Sequence, residues 1–124
     1  MDSTITLVGN LTRDPVLRLT ANGLAVAEMG LAVSRRWRTN EGDEREHTSF
    51  FSVVAWRSLA EHCAASLHKG DLVMVTGRPE QRSWQTDAGD RRSTVEVVAE
   101  DVGPSLRWAT ASIERTGRLT DIAA

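Results

Sequence analysis

The chain has 124 residues, 40% hydrophobic and 26% charged, which is enough for one domain with a real core and too little for two ordinary ones. Its formal net charge is −2, from 15 basic and 17 acidic residues, so a uniformly basic nucleic-acid-binding surface is excluded. Cys63 is the single cysteine, which excludes an internal disulfide and a cysteine metal cluster. No run approaches the ~18 apolar residues of a membrane span. The N-terminal MDSTITLVGN lacks the basic and apolar regions of a secretory signal. These features imply a reducing, cytoplasmic setting.

Strand-like runs follow one another between regularly spaced Gly and Pro residues. TITLVG (4–9) is short and rich in β-branched residues. VLRLT (16–20) alternates after Pro15. LAVAEMGLAVSRRW (24–37) reads as a long strand with a bulge or bend at Gly30. TNEGDERE (39–46) reads as a polar loop, and HTSFFSVVAW (47–56) as a second long strand. Ser58 and Glu61 have the spacing of a capping box. Leu59, Cys63 and Leu67 then recur on one helical face, and Lys69-Gly70 closes the helix. DLVMVTGRPEQRSWQ (71–85) is a strand expected to bend near Gly77-Arg78-Pro79. TDAGD (86–90) is a turn. RSTVEVVAEDV (92–102) alternates, with Val95, Val97 and Ala99 on one face. Many short strands around one central helix point to a small closed barrel.

The chain has four Trp, two Phe and no Tyr. Side chains alternate faces along a strand. Phe50, Ser52, Val54 and Trp56 therefore share one face of their strand, and Phe51, Val53 and Ala55 the other. The second set is wholly apolar, which puts Phe51 inward and Phe50 with Trp56 outward. Trp37 lies among Arg35, Arg36 and Arg38; Trp84 follows Arg82 and precedes Arg91 and Arg92. Flat rings interleaved with guanidinium groups are what a single-strand surface needs, since bases stack on the rings and phosphates meet the cations. The plainer alternative is half-buried packing for each ring, with Arg35, Arg36 and Arg38 balanced by Glu41, Asp43, Glu44 and Glu46. His47, His62 and His68 lack metal-ligand spacing. There is no nucleophile elbow and no phosphate-binding glycine loop. The pattern implies no metal, no cofactor and no enzyme.

The segments VGNLTRDPVLR (8–18), LAVSRRW (31–37), FFSVVAWRSLAE (50–61), KGDLVMVTGR (69–78) and W-x-x-x-x-G-D-R-R (84–92) together resemble the bacterial single-stranded DNA-binding protein family. VGPSLRWATASIER (102–115) resembles its actinobacterial branch. The resemblance implies an all-β fold: a five-stranded oligonucleotide-binding (OB) barrel, one α-helix between strands 3 and 4, and an extra C-terminal clamp strand. It divides the chain into a DNA-binding barrel, 1–103, and a clamp with a short tail, 104–124. It places base-stacking rings at Trp37, Phe50, Trp56 and Trp84. It places phosphate contacts at Arg18, Arg38, Lys69, Arg82 and Arg92; Arg35, Arg36 and Arg91 join them on local grounds.

The same resemblance implies a homotetramer, with Thr4, Thr6 and Val8 on a dimer-forming edge. Phe51 falls at a subunit interface and Trp108 in the clamp. It implies a partner, single-stranded DNA, and a nucleoid-associated role in replication, repair or recombination. The chain ends SIERTGRLTDIAA, without the family's Gly/Pro-rich linker and acidic tip. Recruitment of replication and repair proteins through that tip is therefore not carried over. The rival expectations are an OB-fold protein-interaction module, with the Trp rings buried or at subunit contacts, and a binder that prefers RNA.

Overall fold

The computed structural model describes residues 3–117. Six strands and one helix follow in the order β1 (Ile5–Leu11), β2 (Val16–Leu19), β3 (Ala25–Arg38), β4 (Glu44–Trp56), α1 (Arg57–Ser66), β5 (Leu72–Gln85) and β6 (Arg91–Pro104). The sheet order is β1-β5-β6-β4-β3-β2, and β1 also pairs with β3. That last pairing closes β1, β3, β4, β6 and β5 into a five-stranded OB barrel. Short β2 lies outside the closure, on the edge of β3. Counted along the barrel, α1 falls between the third and fourth strands, as expected.

Three tight hairpin loops share one sequence device. TANGL, TNEGD and TDAGD each begin with Thr and carry Gly three residues later. The first residue's amide donates to the fifth residue's carbonyl in each, at 2.8 Å for Thr20 to Leu24, 2.9 Å for Thr39 to Asp43 and 2.8 Å for Thr86 to Asp90. The Thr hydroxyl accepts from the fifth residue's amide at 3.1–3.2 Å. Gly23, Gly42 and Gly89 have φ of 80°, 85° and 87°, which only glycine adopts freely. This geometry pins the β3–β4 and β5–β6 ribbons in register out to their tips. β4 consequently starts at Glu44, three residues before the run expected from sequence.

The core is the inward face of the barrel: Leu7, Met29, Leu31, Val53, Val73, Val75 and Val97 are all buried. Helix α1 adds Ala60 and Cys63, with Leu67 just beyond its end. Val97 and Ala99 are buried as the alternation required, but Val95 is exposed. It lies opposite Gln81, in the part of the ribbon beyond the barrel. Gly30 carries no bulge, since it pairs in register with Ser52. A Cβ there would collide with the Thr12 side chain, so glycine allows a close approach. The expected bend at Gly77 is present. The β5–β6 register shifts between Thr76 and Gly77, and a Cβ on Gly77 would meet the backbone carbonyl of Val98.

Three other expectations are corrected. Ser58 does not cap the helix: Trp56 is the N-cap residue and makes no side-chain cap bond. The chain leaves β4 and enters α1 directly through Arg57, whose φ of 61° is left-handed, so Ser58 already sits in the first turn. At the other end the C-cap is Leu67, while Lys69 and Gly70 belong to the following loop. The extra strand is β2, and residues 105–117 hold no strand. The amide of Ser105 donates to the carbonyl of Leu72 at 2.8 Å. Leu72 is the first residue of β5, so the ladder has nothing left to pair with the segment beyond. The expected tail after residue 117 lies outside the described residues.

Candidate nucleic-acid interface

Register settles which side chains share a face. Directly opposed residues on paired strands point the same way. Trp56 pairs with Val26, Val54 with Glu28, Phe50 with Ala32, and Glu46 with Arg36. Across the parallel β4–β6 pairing, Val54 meets Val98 and Ser52 meets Glu96. Glu96 meets Glu80, Val98 meets Arg78, and Arg92 meets Trp84. One continuous outer face therefore runs over β2, β3, β4, β6 and β5. At its centre is a groove walled by Arg18, Arg78, Arg82 and Trp56. Val26, Val54 and Val98 form its floor, and the first two are buried. Glu28, Glu80 and Glu96 line it too, so three arginines and three glutamates surround an apolar floor.

The rings named from sequence are accessible. Phe50 is 74% exposed, Trp84 46%, Trp37 41% and Trp56 40%. Phe51 is half-buried against the core, on the inward face that parity required. The structure brings Phe50, Trp56 and Trp84 to the outer face. Trp37 is placed differently: it has the parity of Leu31 and Phe51, on the opposite side of the β3–β4 ribbon. Its ring lies 5.1 Å from the Arg35 guanidinium. It borders an apolar hollow with Leu7, Val33 and Phe51. Two ring surfaces thus flank one ribbon.

The cations divide in the same way. Arg18, Arg36, Arg38, Arg82 and Arg92 lie on the outer face; Arg35 is on the side of Trp37, and Arg91 opposes Gln85 on the other side from Trp84. Lys69 is in the α1–β5 loop, away from the groove, where its amide donates to Asp14 Oδ1 at 2.8 Å. Most of the outer arginines already hold a carboxylate. The pairs are Arg18–Glu28 at 2.6 Å, Arg36–Glu46 at 3.7 Å, Arg38–Glu44 at 4.0 Å, Arg78–Glu100 at 3.9 Å and Arg82–Glu96 at 3.7 Å. The charge balance expected for Arg36 and Arg38 is therefore real and local. Sequence reading missed Arg78 and the carboxylates Glu28 and Glu96. Arg78 was accessible to it, because it lies four residues before Arg82 and shares that strand face.

Elsewhere, β1 pairs with β5 from Ile5 to Asn10 but with β3 only at Asn10 and Leu11. One side of residues 5–8 is thus left without a strand among the described residues. Thr6 and Val8 point outward beside Thr76 and Met74, and Thr4 precedes the strand, also exposed. Trp108 is 81% exposed. No group of His, Cys, Asp or Glu able to hold a metal occurs among the described residues. Among the described residues no helix is long and apolar enough to cross a membrane.

Cys63 is buried in the core. Burial, and then the nearby Asp101 carboxylate, push its thiol from 9.0 up to about 11. A reactive thiol needs a depressed value, so this one is inert. The folded state favours the neutral form, so its stabilising contribution is complete below pH 9.0 and disappears as pH rises towards 11. Chemical unfolding across that window is expected to show a fall in stability that Cys63→Ala lacks.

A closed five-stranded barrel with one helix between its third and fourth strands, and rings and arginines on one outer face, defines the OB-fold class. The chain belongs to the Single-strand binding protein family, which it matches over residues 2–105. It is 47% identical over 120 residues to the single-stranded DNA-binding protein of Corynebacterium glutamicum, covering 94% of this chain and 53% of that one. Against the Mycolicibacterium smegmatis protein of the same name the identity is 44% over 119 residues, covering 94% and 72%. The crystal structure of the small single-stranded DNA-binding protein from Streptomyces coelicolor superposes with a TM-score of 0.70 at 36% identity, covering 85% of this chain and 95% of that one. The chain spans about half the length of its relatives from Corynebacterium glutamicum and Bifidobacterium longum, at 53% of each.

Proposed function

We propose that the chain binds single-stranded DNA with little regard to sequence. It holds the strand unpaired and protected during replication, repair or recombination, and catalyses no reaction. The outer groove carries this reading, with its valine floor, the Trp56 ring and three arginine walls. Each base stacked on an aromatic ring contributes roughly 1–3 kcal/mol, whatever the base. A duplex keeps its base faces inside the stack and cannot offer them to Phe50, Trp56 or Trp84. Trp37 and Arg35 extend the path around the β3–β4 ribbon. The interaction-module alternative expects Trp37, Trp56 and Trp84 to be buried or at subunit contacts; within one chain they are 40–46% exposed, so its remaining form is rings covered by another subunit.

The same proposal includes a homotetramer. It is supported by the partly unpaired β1 edge, the outward Thr6, Val8 and Met74, half-buried Phe51, and exposed Trp108 on a segment, 105–117, that forms no strand.

Titration of a labelled oligo-dT at several salt concentrations tests the binding. Each phosphate contact contributes about −0.7 to the logarithmic salt slope for a single strand. Because Arg18, Arg36, Arg38 and Arg82 already hold glutamates, the expected slope is shallow. A slope equivalent to about ten phosphates neutralised per subunit would contradict stacking as the main term.

A further inference from the structure

The five side-chain ion pairs among the described residues all lie on the outer face. In each, an arginine takes a glutamate on the neighbouring strand. Arg36–Glu46 and Arg38–Glu44 are directly opposed in register; the others are diagonal. Three of the pairs are largely exposed and contribute little to stability. Glu28 and Glu96 are more enclosed, with side chains 37% and 20% exposed, beside arginines that are 53% and 62% exposed. All five glutamates occupy cations that a phosphate would use.

We propose that Glu28 and Glu96, with Glu44 and Glu46 further out, are built-in competitors for phosphate that make the face selective for single strands over duplex DNA. This rests on the single-strand-binding reading above. When an arginine moves from carboxylate to phosphate it exchanges one anion for another. Few counterions are released, so the phosphate interaction alone adds little affinity. A single strand adds stacking on Phe50, Trp56 and Trp84, which shifts the exchange in its favour. A duplex brings about one charge per 1.7 Å of axis and no free base faces. It meets the carboxylates with repulsion and without that compensation. Glu28 and Glu96 matter most, because of the three glutamates lining the groove, Glu80 included, these two hold its arginines, Arg18 and Arg82.

The test is the double variant Glu28→Gln/Glu96→Gln in the full chain, which keeps side-chain shape and removes two charges. Glu61→Gln/Glu114→Gln, which removes two charges away from this face, is the control. Affinities for oligo-dT and for a duplex of equal length are measured across salt concentrations. Duplex affinity is expected to rise about tenfold or more in the groove variant, and its salt slope to steepen by about 0.9 for each further phosphate neutralised. Oligo-dT affinity should rise less, so the single-strand preference falls several-fold; the control should keep the original preference. Equal increases for both ligands, no increase, or the same change in the control would overturn the proposal alone. Failure of the unsubstituted protein to bind oligo-dT would overturn the binding reading and this one with it. Should the double variant not fold, Glu96→Gln alone carries the same comparison.

Discussion

Trp56→Ala is expected to weaken oligo-dT binding about ten- to a hundredfold, the loss of one stacked base at roughly 1–3 kcal/mol. Trp56 closes β4, pairs with Val26 and stands over the groove floor. Its ring is 40% exposed, so truncation leaves no core cavity and the melting temperature should hardly move. A filter-binding or anisotropy titration beside a thermal scan separates the two effects. A variant that unfolds would mean that Trp56 belongs to the core. A folded variant with unchanged affinity would mean that the groove is not where bases stack.

Leu31→Ala has the opposite signature. Leu31 is 1% exposed at the middle of β3, between Leu11 on one side and Phe51 on the other. Close-packed barrel strands cannot collapse into the vacated volume. Truncation of a buried leucine costs about 2–5 kcal/mol, which in a domain of this size lowers the melting temperature by about 10 °C or more. Affinity measured below the transition should change little, because every outer-face residue keeps its register. Thermal unfolding followed by circular dichroism checks this. A loss under about 1 kcal/mol would place Leu31 in a site that can relax.

What sequence reading resolved well was local. Alternation alone turned Phe50 and Trp56 outward and Phe51 inward, because a strand's period is two whatever it pairs with. Gly77-Arg78-Pro79 announced the bend in β5. The misses were relational. The side on which Trp37 lies relative to Phe50 depends on the Ala32–Phe50 register, which a hairpin sets only once its loop geometry is known. TNEGD encodes that geometry; reading 39–46 as a loop kept Glu44 and Glu46 in the set that balances Arg36 and Arg38 but left out the strand register that pairs them one to one. Glu28 and Glu96 belong to different hairpins, β2–β3 and β5–β6, and only the sheet order brings them to one groove. Ser58 and Glu61 had capping-box spacing, yet the left-handed turn at Arg57 began the helix before they could act. The clamp segment after Pro104 carries a strand-like resemblance, but a strand forms only where a ladder is free, and β5 begins at Leu72.

Intrinsic tryptophan fluorescence during titration with oligo-dT tests the central claim most directly, because Trp37, Trp56 and Trp84 are both the reporters and the proposed stacking surface. Strong saturable quenching is expected, with an endpoint that gives the nucleotides bound per subunit, and it should be smaller in Trp56→Ala. No quenching from a folded protein would contradict stacking on these rings and leave the barrel as a protein-interaction module.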